Sequence, residues 1–279
     1  MKILMTGVLI TLLVAAGSAQ AQLLLQYQFN NADTATTNVL DSSGNNLSGS
    51  FQKQGIVGGA ALQTGPGVSG LAGDYAYNGA AANGMGTNGT NAGRVKYGGG
   101  GFNSSYSSLT VCGWFKTESG SLTNSARLLV AVGTENLMLF DSVGNGLRFQ
   151  IGASFVDSGA NTYTNASTWT FFAATYDSTL STNNVSFWLG DTSNLSLVAS
   201  KTMTGAGVWD GLGATADFSI GNRQGTTAPN NMDRPFDGYI DDFRIYGVAT
   251  GSSGALSQTQ LSAIRASAVR RSLGLYIIQ

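Results

Sequence analysis

The chain is predicted to fold as an all-β, two-sheet antiparallel β-sandwich with a short C-terminal helix. Three observations carry this expectation. Only 10% of the 279 residues are charged, while 39 are Gly and Asn, Ser and Thr abound. Gly, Asn and Ser serve turns, and Thr serves strands. Short apolar, aromatic and β-branched runs recur at regular spacing between Gly, Asn, Asp and Ser clusters, about a dozen in all, as a sandwich requires. Only Ser257 to Ala268 reads as helix, with Leu261, Ile264 and Ala268 at i, i+3 and i+7 and Ser257 placed to cap its start.

Taken in order, the first residues read as a secretory signal over 1–21. Lys2 gives the positive start, Ile3 to Ala16 is apolar, and Ala19-Gln20-Ala21 is a small-x-small cleavage site. The apolar run is short for a bilayer span and ends in small and polar residues. The mature chain is expected from Gln22, outside the cell or at its surface, with no membrane span left after cleavage. A sandwich domain is expected over 22–250, with helix and tail over 251–279.

Leu23 to Phe29 (LLLQYQF) is the first expected strand, followed by the turn cluster Asp41 to Asn46. Gly58 to Gln63 suggests a short strand. Gly79 to Gly101 is rich in Gly, Asn and Ala and reads as a long surface loop. From Ser108 the pattern sharpens. Ser108 to Lys116 (SLTVCGWFK) is a strand burying Trp114 or Phe115. Arg127 to Gly133 and Asn136 to Phe140 form a hairpin, and Leu147 to Ile151 follows a Gly-Asn-Gly turn. Thr168 to Asp177 is a long strand, Val185 to Leu189 alternates, and Asp217 to Gly221 precedes a polar loop.

The last strand, Phe236 to Tyr246 (FDGYIDDFRIY), is the most informative. Strict alternation puts Tyr239, Asp241, Phe243 and Ile245 on one face and Ile240, Asp242, Arg244 and Tyr246 on the other. Both faces carry large apolar groups, so both are expected to be covered. An Asp pointing into such a place needs a cation, an Arg or several N–H donors.

Composition excludes several chemistries. There is no His, which removes Ser-His-Asp and Cys-His catalysis and His-ligated zinc or copper. The single Cys, Cys112, cannot form an intramolecular disulfide and lies in a strand pattern, where a buried inert thiol is expected. Secretion without disulfides suits a bacterium. The formal charge of −1 and the lack of a basic run argue against nucleic acid as partner.

At this point the chain resembles the LamG-like jellyroll domains of secreted bacterial proteins, within the concanavalin A-like lectin/glucanase group. The segments that carry the resemblance stand in the family's order: Leu25 to Phe29, Asp41 to Gly49 (DSSGNNLSG), Gly59 to Leu62, Leu109 to Lys116, Trp169 to Tyr176 (WTFFAATY), Ile220 to Asn222 and Phe236 to Tyr246. They extend, with the helix, from about Leu23 to Ala266. The resemblance implies a jellyroll with first and last strands adjacent. One departure is that the opening strand ends in Asn30-Asn31, where the family often has an acidic residue.

The resemblance also implies a structural Ca²⁺. Carried over residue by residue, it points to Asp241, with carbonyls around Gly44 and Asn45 and with Asp41 as a further ligand. Hard oxygen donors of this kind suit calcium. The alternative is that backbone N–H groups or Arg244 satisfy these carboxylates and that Asp41 caps its own turn. A glycosidase of this group would need two acids flanking one sugar bond. The only two Glu, Glu118 and Glu135, have no acidic neighbour within four residues, and Asp233 and Asp237 lie in a loop broken by Pro235. The adjacent Asp241 and Asp242 are expected on opposite faces. An enzyme is therefore not expected. For a sugar-binding surface, Trp209, Trp188, Tyr163 and Tyr106 are the candidate stacking rings, with Trp209, in a Gly-rich loop, expected to be exposed. Trp114 and Trp169 are expected in the core. The reading is non-catalytic binding of a polysaccharide or cell-surface glycan. The alternatives are a structural or adhesive surface protein without a defined sugar, and an unusual glycoside hydrolase.

Overall fold

A computed structural model describes residues 20–30, 38–54, 63–79, 92–102, 104–117, 127–132, 137–142, 145–163, 168–211, 217–222, 236 and 238–270. Most of the expected signal, Gly58 to Leu62, Glu118, Glu135, Asp233, Asp237 and the tail after residue 270 lie outside the described residues.

The described residues form sixteen strands and one helix: β1 (Gln22–Tyr27), β2 (Asn38–Val39), β3 (Gly49–Gln54), β4 (Gln63–Thr64), β5 (Ala76–Asn78), β6 (Ala92–Tyr97), β7 (Ser108–Thr117), β8 (Arg127–Val132), β9 (Leu137–Ser142), β10 (Gly146–Ile151), β11 (Ser154–Asp157), β12 (Thr170–Asp177), β13 (Val185–Gly190), β14 (Leu195–Lys201), β15 (Phe218–Ile220), β16 (Gly238–Val248) and α1 (Gln258–Arg270). They make two eight-stranded antiparallel sheets. The first runs β14-β13-β12-β7-β16-β5-β4, with β1 also on β16; the second runs β11-β10-β9-β8-β15-β6-β3-β2. First and last strands are adjacent, as expected: β1 pairs β16 from Gln22↔Gly247 to Tyr27↔Phe243.

The architecture follows from which strands are covered on both sides. On β7, Leu109, Val111 and Phe115 point into the core between the sheets. Cys112 and Trp114 point the other way, into a second apolar cluster with Phe171, Leu256 and Leu261. Trp114 and Phe115 are thus both buried, on opposite faces. Burying one such side chain contributes roughly 1.5–3 kcal/mol.

The second cluster exists because α1 lies across the outer face of the first sheet. Its start is a capping box: the Gln260 N–H donates to Ser257 Oγ at 3.4 Å and the Ser257 N–H donates to Gln260 Oε1 at 2.9 Å. Arg265 donates to the carbonyls of Asp191 (2.8 Å) and Ser193 (3.0 Å), fastening the helix to the β13–β14 turn.

The expected loop Gly79 to Gly101 contains β6, an interior strand paired with β3 and β15. Its inward contribution is small, centred on Val95, so its apolar periodicity is too brief to stand out among glycines. β14 is an open edge strand with Leu197 and Val198 exposed. Neighbours assembled it, and its own pattern announces little.

Candidate functional site

The closing strand sets the site. Its first four residues pair with β7 in one register, from Gly238↔Thr117 to Asp241↔Trp114; the register shifts before Arg244↔Cys112. Asp242 and Phe243 together face Gly113, which is a β-bulge. Asp242 enters the left-handed region at φ 43°, which Asp tolerates better than branched residues. Gly113 gives room opposite: a Cβ there would sit tightly, 3.1 Å from Phe243 Cα and 3.2 Å from the Asp241 carbonyl oxygen.

The bulge resets the alternation. Ile240, Phe243 and Ile245 all enter the inter-sheet core. Tyr239, Asp241 and Arg244 stand beside Lys116, Trp114 and Cys112 on the helix side, and Asp242 joins them through Arg244. The expected separation of Asp241 and Asp242 onto opposite faces is therefore corrected, because one extra residue inverts the pattern beyond it.

The two carboxylates have different partners. Asp242 accepts from Arg244 Nη2 at 2.8 Å and Nε at 3.3 Å, and from Gln26 Nε2 at 3.0 Å. Arg244 also reaches Tyr246 Oη and Ser267 Oγ, each at 3.3 Å. This network ties β1, β16 and α1 together. Asp241 accepts from the Val68 N–H at 2.8 Å and the Asp242 N–H at 2.6 Å. Its companion is Asp74, from the loop between β4 and β5, which accepts from the Ser69 N–H at 2.8 Å. The Oδ2 atoms of both lie within 2.7 Å of where a Gly67 Cβ would stand, so Gly67 leaves the space they share. Burial, and next the charge of Asp74, push the Asp241 carboxyl well above the usual carboxylate range.

The expected calcium set is only partly assembled. Asp41 holds its own loop: it accepts from the N–H groups of Gln26, Ser43 and Leu47 and from the Ser43 hydroxyl, at 2.8–3.0 Å. Asn45 donates to the Leu23 and Leu24 carbonyls, and Gly44 is an exposed turn residue at φ 89°. The contacts of Asp241 run to the 67–74 loop, and the carboxylate beside it is that of Asp74. No periodic pattern surrounds Asp74, and only tertiary pairing through β5 brings it to β16.

Three of the four expected sugar-stacking rings are buried. Trp209 is 0% exposed, against expectation. Its loop turns inward because Trp209 and Tyr106 exchange backbone hydrogen bonds of 2.9 and 2.7 Å and stack their rings at 5.3 Å. Tyr106 is buried by the same contact. Tyr163 is buried edge-on against Phe115 at 5.1 Å, and reaches a shallow cleft of about 270 Å³ shared with Thr162, Thr170 and Asn194. Trp188 is half-buried against the second cluster.

A different aromatic group forms at the surface. Trp169, expected in the core, is partly buried just before β12, packed on the second apolar cluster with one edge at the surface. It lies beside Lys116 and Tyr239, which pair across β7 and β16 and are likewise partly buried. The Lys116 ammonium sits 4.3 Å from the Tyr239 ring centre and 5.3 Å from that of Trp169; the rings are 6.4 Å apart. The signal that could have found this group is the cross-strand register, not any one segment.

Domain 4 of AbnA, a GH43 extracellular arabinanase from Geobacillus stearothermophilus solved with arabinotriose, is similar over 88% of this chain and all of its own, at 22% identity and TM-score 0.56. The botulinum neurotoxin serotype C1 binding domain covers 88% of this chain at 15% identity and TM-score 0.52. The serotype G binding domain covers 87% at 13% identity and TM-score 0.51. This chain spans about half the length of those two toxin domains. At such identities the likeness is one of fold. No curated protein matches the chain. A family model described as the concanavalin A-like lectin/glucanases superfamily matches residues 88–253, more than half of the sequence. The chain therefore belongs to the concanavalin A-like lectin/glucanase superfamily, as a jellyroll of the laminin-G type.

Proposed function

We propose that this protein is a secreted, non-catalytic glycan-binding jellyroll whose fold is braced by a calcium ion. The observation that carries the binding reading is the partly exposed Trp169–Tyr239 pair on the helix-side face of the first sheet. Partly exposed rings of this kind offer stacking faces to a pyranose, with polar groups nearby for its hydroxyls. The arabinanase domain, solved with arabinotriose, lends support by analogy of fold. Secretion is supported by the leader-like first residues and by strand pairing that begins at Gln22, the expected mature start.

The non-catalytic reading now rests on burial. Asp241 and Asp242 share a face, yet each is only 1% exposed. One is covered by the Val68 N–H and the other by Arg244 and Gln26, so a glycosidic bond cannot enter between them.

For calcium, the residues fit in donor type. Asp241 and Asp74 are hard oxygen donors whose Oδ2 atoms share the space left by Gly67, and a cation between them would offset the burial and mutual charge that raise the Asp241 carboxyl. Among the described residues no third acidic, His or Cys side chain joins them, so carbonyls and water would complete the shell. Bound calcium would neutralise both charges and tie the 67–74 loop to β16.

A glycan array probed with the chain from Gln22 tests the binding reading. Retention of at least one polysaccharide, lost in Trp169→Ala, is expected. No retention across neutral and acidic glycans rejects it in favour of an adhesive or structural surface protein.

A further inference from the structure

Resting on the glycan-binding reading, we propose that Lys116, Trp169 and Tyr239 form a subsite for an anionic sugar ring within a polysaccharide chain. A neutral sugar would need only the rings. This site holds a cation as well, and the geometry keeps it in place. Lys116 comes from the middle strand of three, with Tyr239 directly across on β16 and Trp169 beside it before β12. Its ammonium is therefore flanked by two ring faces, at 4.3 and 5.3 Å. Each contact of this kind is weak, but together they restrict a flexible lysine to one position.

Among the described residues Lys116 makes no ion pair, while Lys96 on the second sheet is paired with Asp217 at 2.8 Å. The polar residue next along its row is Asn78, which is neutral and pairs with Tyr239. Asp241, one row inward, is buried and engaged with the Val68 N–H. Among the described residues the Lys116 ammonium therefore meets two rings and no carboxylate. A carboxylate or sulfate on a sugar would meet the ammonium, while the sugar's C–H face packs on Trp169 or Tyr239. The chain's formal charge is only −1 and its charged content 10%. Such binding therefore depends on this one cation and not on a general field, and it should weaken as salt rises.

Affinity gel electrophoresis of the folded chain from Gln22 tests this, with polygalacturonate and dextran sulfate as the carboxylate and sulfate arms, and linear arabinan and laminarin as neutral controls. The variants are Lys116→Met, which keeps the apolar stem, Lys116→Arg, which keeps the charge, and Lys201→Met, which removes an exposed lysine on the edge strand. Retardation by one anionic gel is expected, with affinity falling about tenfold in Lys116→Met, the scale of one charge-assisted contact. Lys116→Arg and Lys201→Met should stay near wild type. Whichever anionic gel shows the Lys116-dependent retardation identifies the acid group. Retardation by neutral gels alone, or anionic retardation indifferent to Lys116→Met, overturns the anionic subsite and leaves the glycan-binding reading standing. No retardation in any gel removes both.

Discussion

The two faces of β16 are built from the same eleven residues and are both buried around the bulge, yet by different means. The inward face presents Ile240, Phe243 and Ile245 to the core between the sheets. The helix-side face presents Asp241, Asp242 and Arg244, all 8% exposed or less. The inward face is held by apolar area, which is non-directional and tolerant of detail. The other face is held by a chain of directed contacts, Gln26–Asp242–Arg244–Ser267 and Val68–Asp241, each of which leaves a stranded polar group if broken. The apolar face places the strand. The polar face fastens three other segments to it.

Four measurements sharpen that contrast. The largest effect belongs to the apolar face: Phe243→Ala should cost about 3–5 kcal/mol in urea unfolding, by lost burial and a residual cavity. A cost below about 1 kcal/mol would mean that the face can collapse around the gap. On the polar face, Arg244→Met should cost roughly 3 kcal/mol by leaving Asp242 buried without its cation. Adding Asp242→Asn should recover much of that loss, whereas additive costs would show that the pair itself is not what matters. Third, calcium at a hundredfold excess over its Kd should raise Tm relative to EDTA by roughly 5–10 °C. Asp241→Asn or Asp74→Asn should abolish the shift and Asp41→Asn should leave it intact; an Asp41-dependent shift would return the ion to the 41–46 loop.

The smallest effect concerns Cys112, fully buried between β7 and α1, whose thiol is pushed up to about 12 by burial. Between the ordinary thiol range and about 12 only the unfolded chain ionises, so this group lowers stability as pH rises through that window. Native protein should resist thiol-specific labelling, with reactivity appearing only across the unfolding transition. Fast labelling of native protein would mean that the helix lifts from the sheet.

Much of the fold was legible in the segments with a long, clear period. Ser108 to Thr117, Thr170 to Asp177 and the capped helix behave as their patterns predict. β6 and β14 escaped because an interior strand among glycines and an edge strand open to solvent owe their form to neighbours. The site was less legible. Asp241 is a buried carboxylate, as its place among large apolar residues predicts, but its companion Asp74 is recruited from a distant loop. Trp209, in a glycine-rich stretch, looked free and is pinned by Tyr106. Trp169, just before a regular strand, packs on the second apolar cluster and stays partly exposed beside Lys116 and Tyr239.

By itself the sequence determined the sandwich and the exclusion of histidine chemistry, because composition and alternation act along the chain; the adjacency of first and last strands was implied by the family resemblance. Only the tertiary structure decided which way the carboxylates of Phe236–Tyr246 point and which rings meet at the surface. A bulge shifts every later side chain by one place. It is defined by the pairing with β7, where it faces Gly113, and no reading of β16 alone contains that strand.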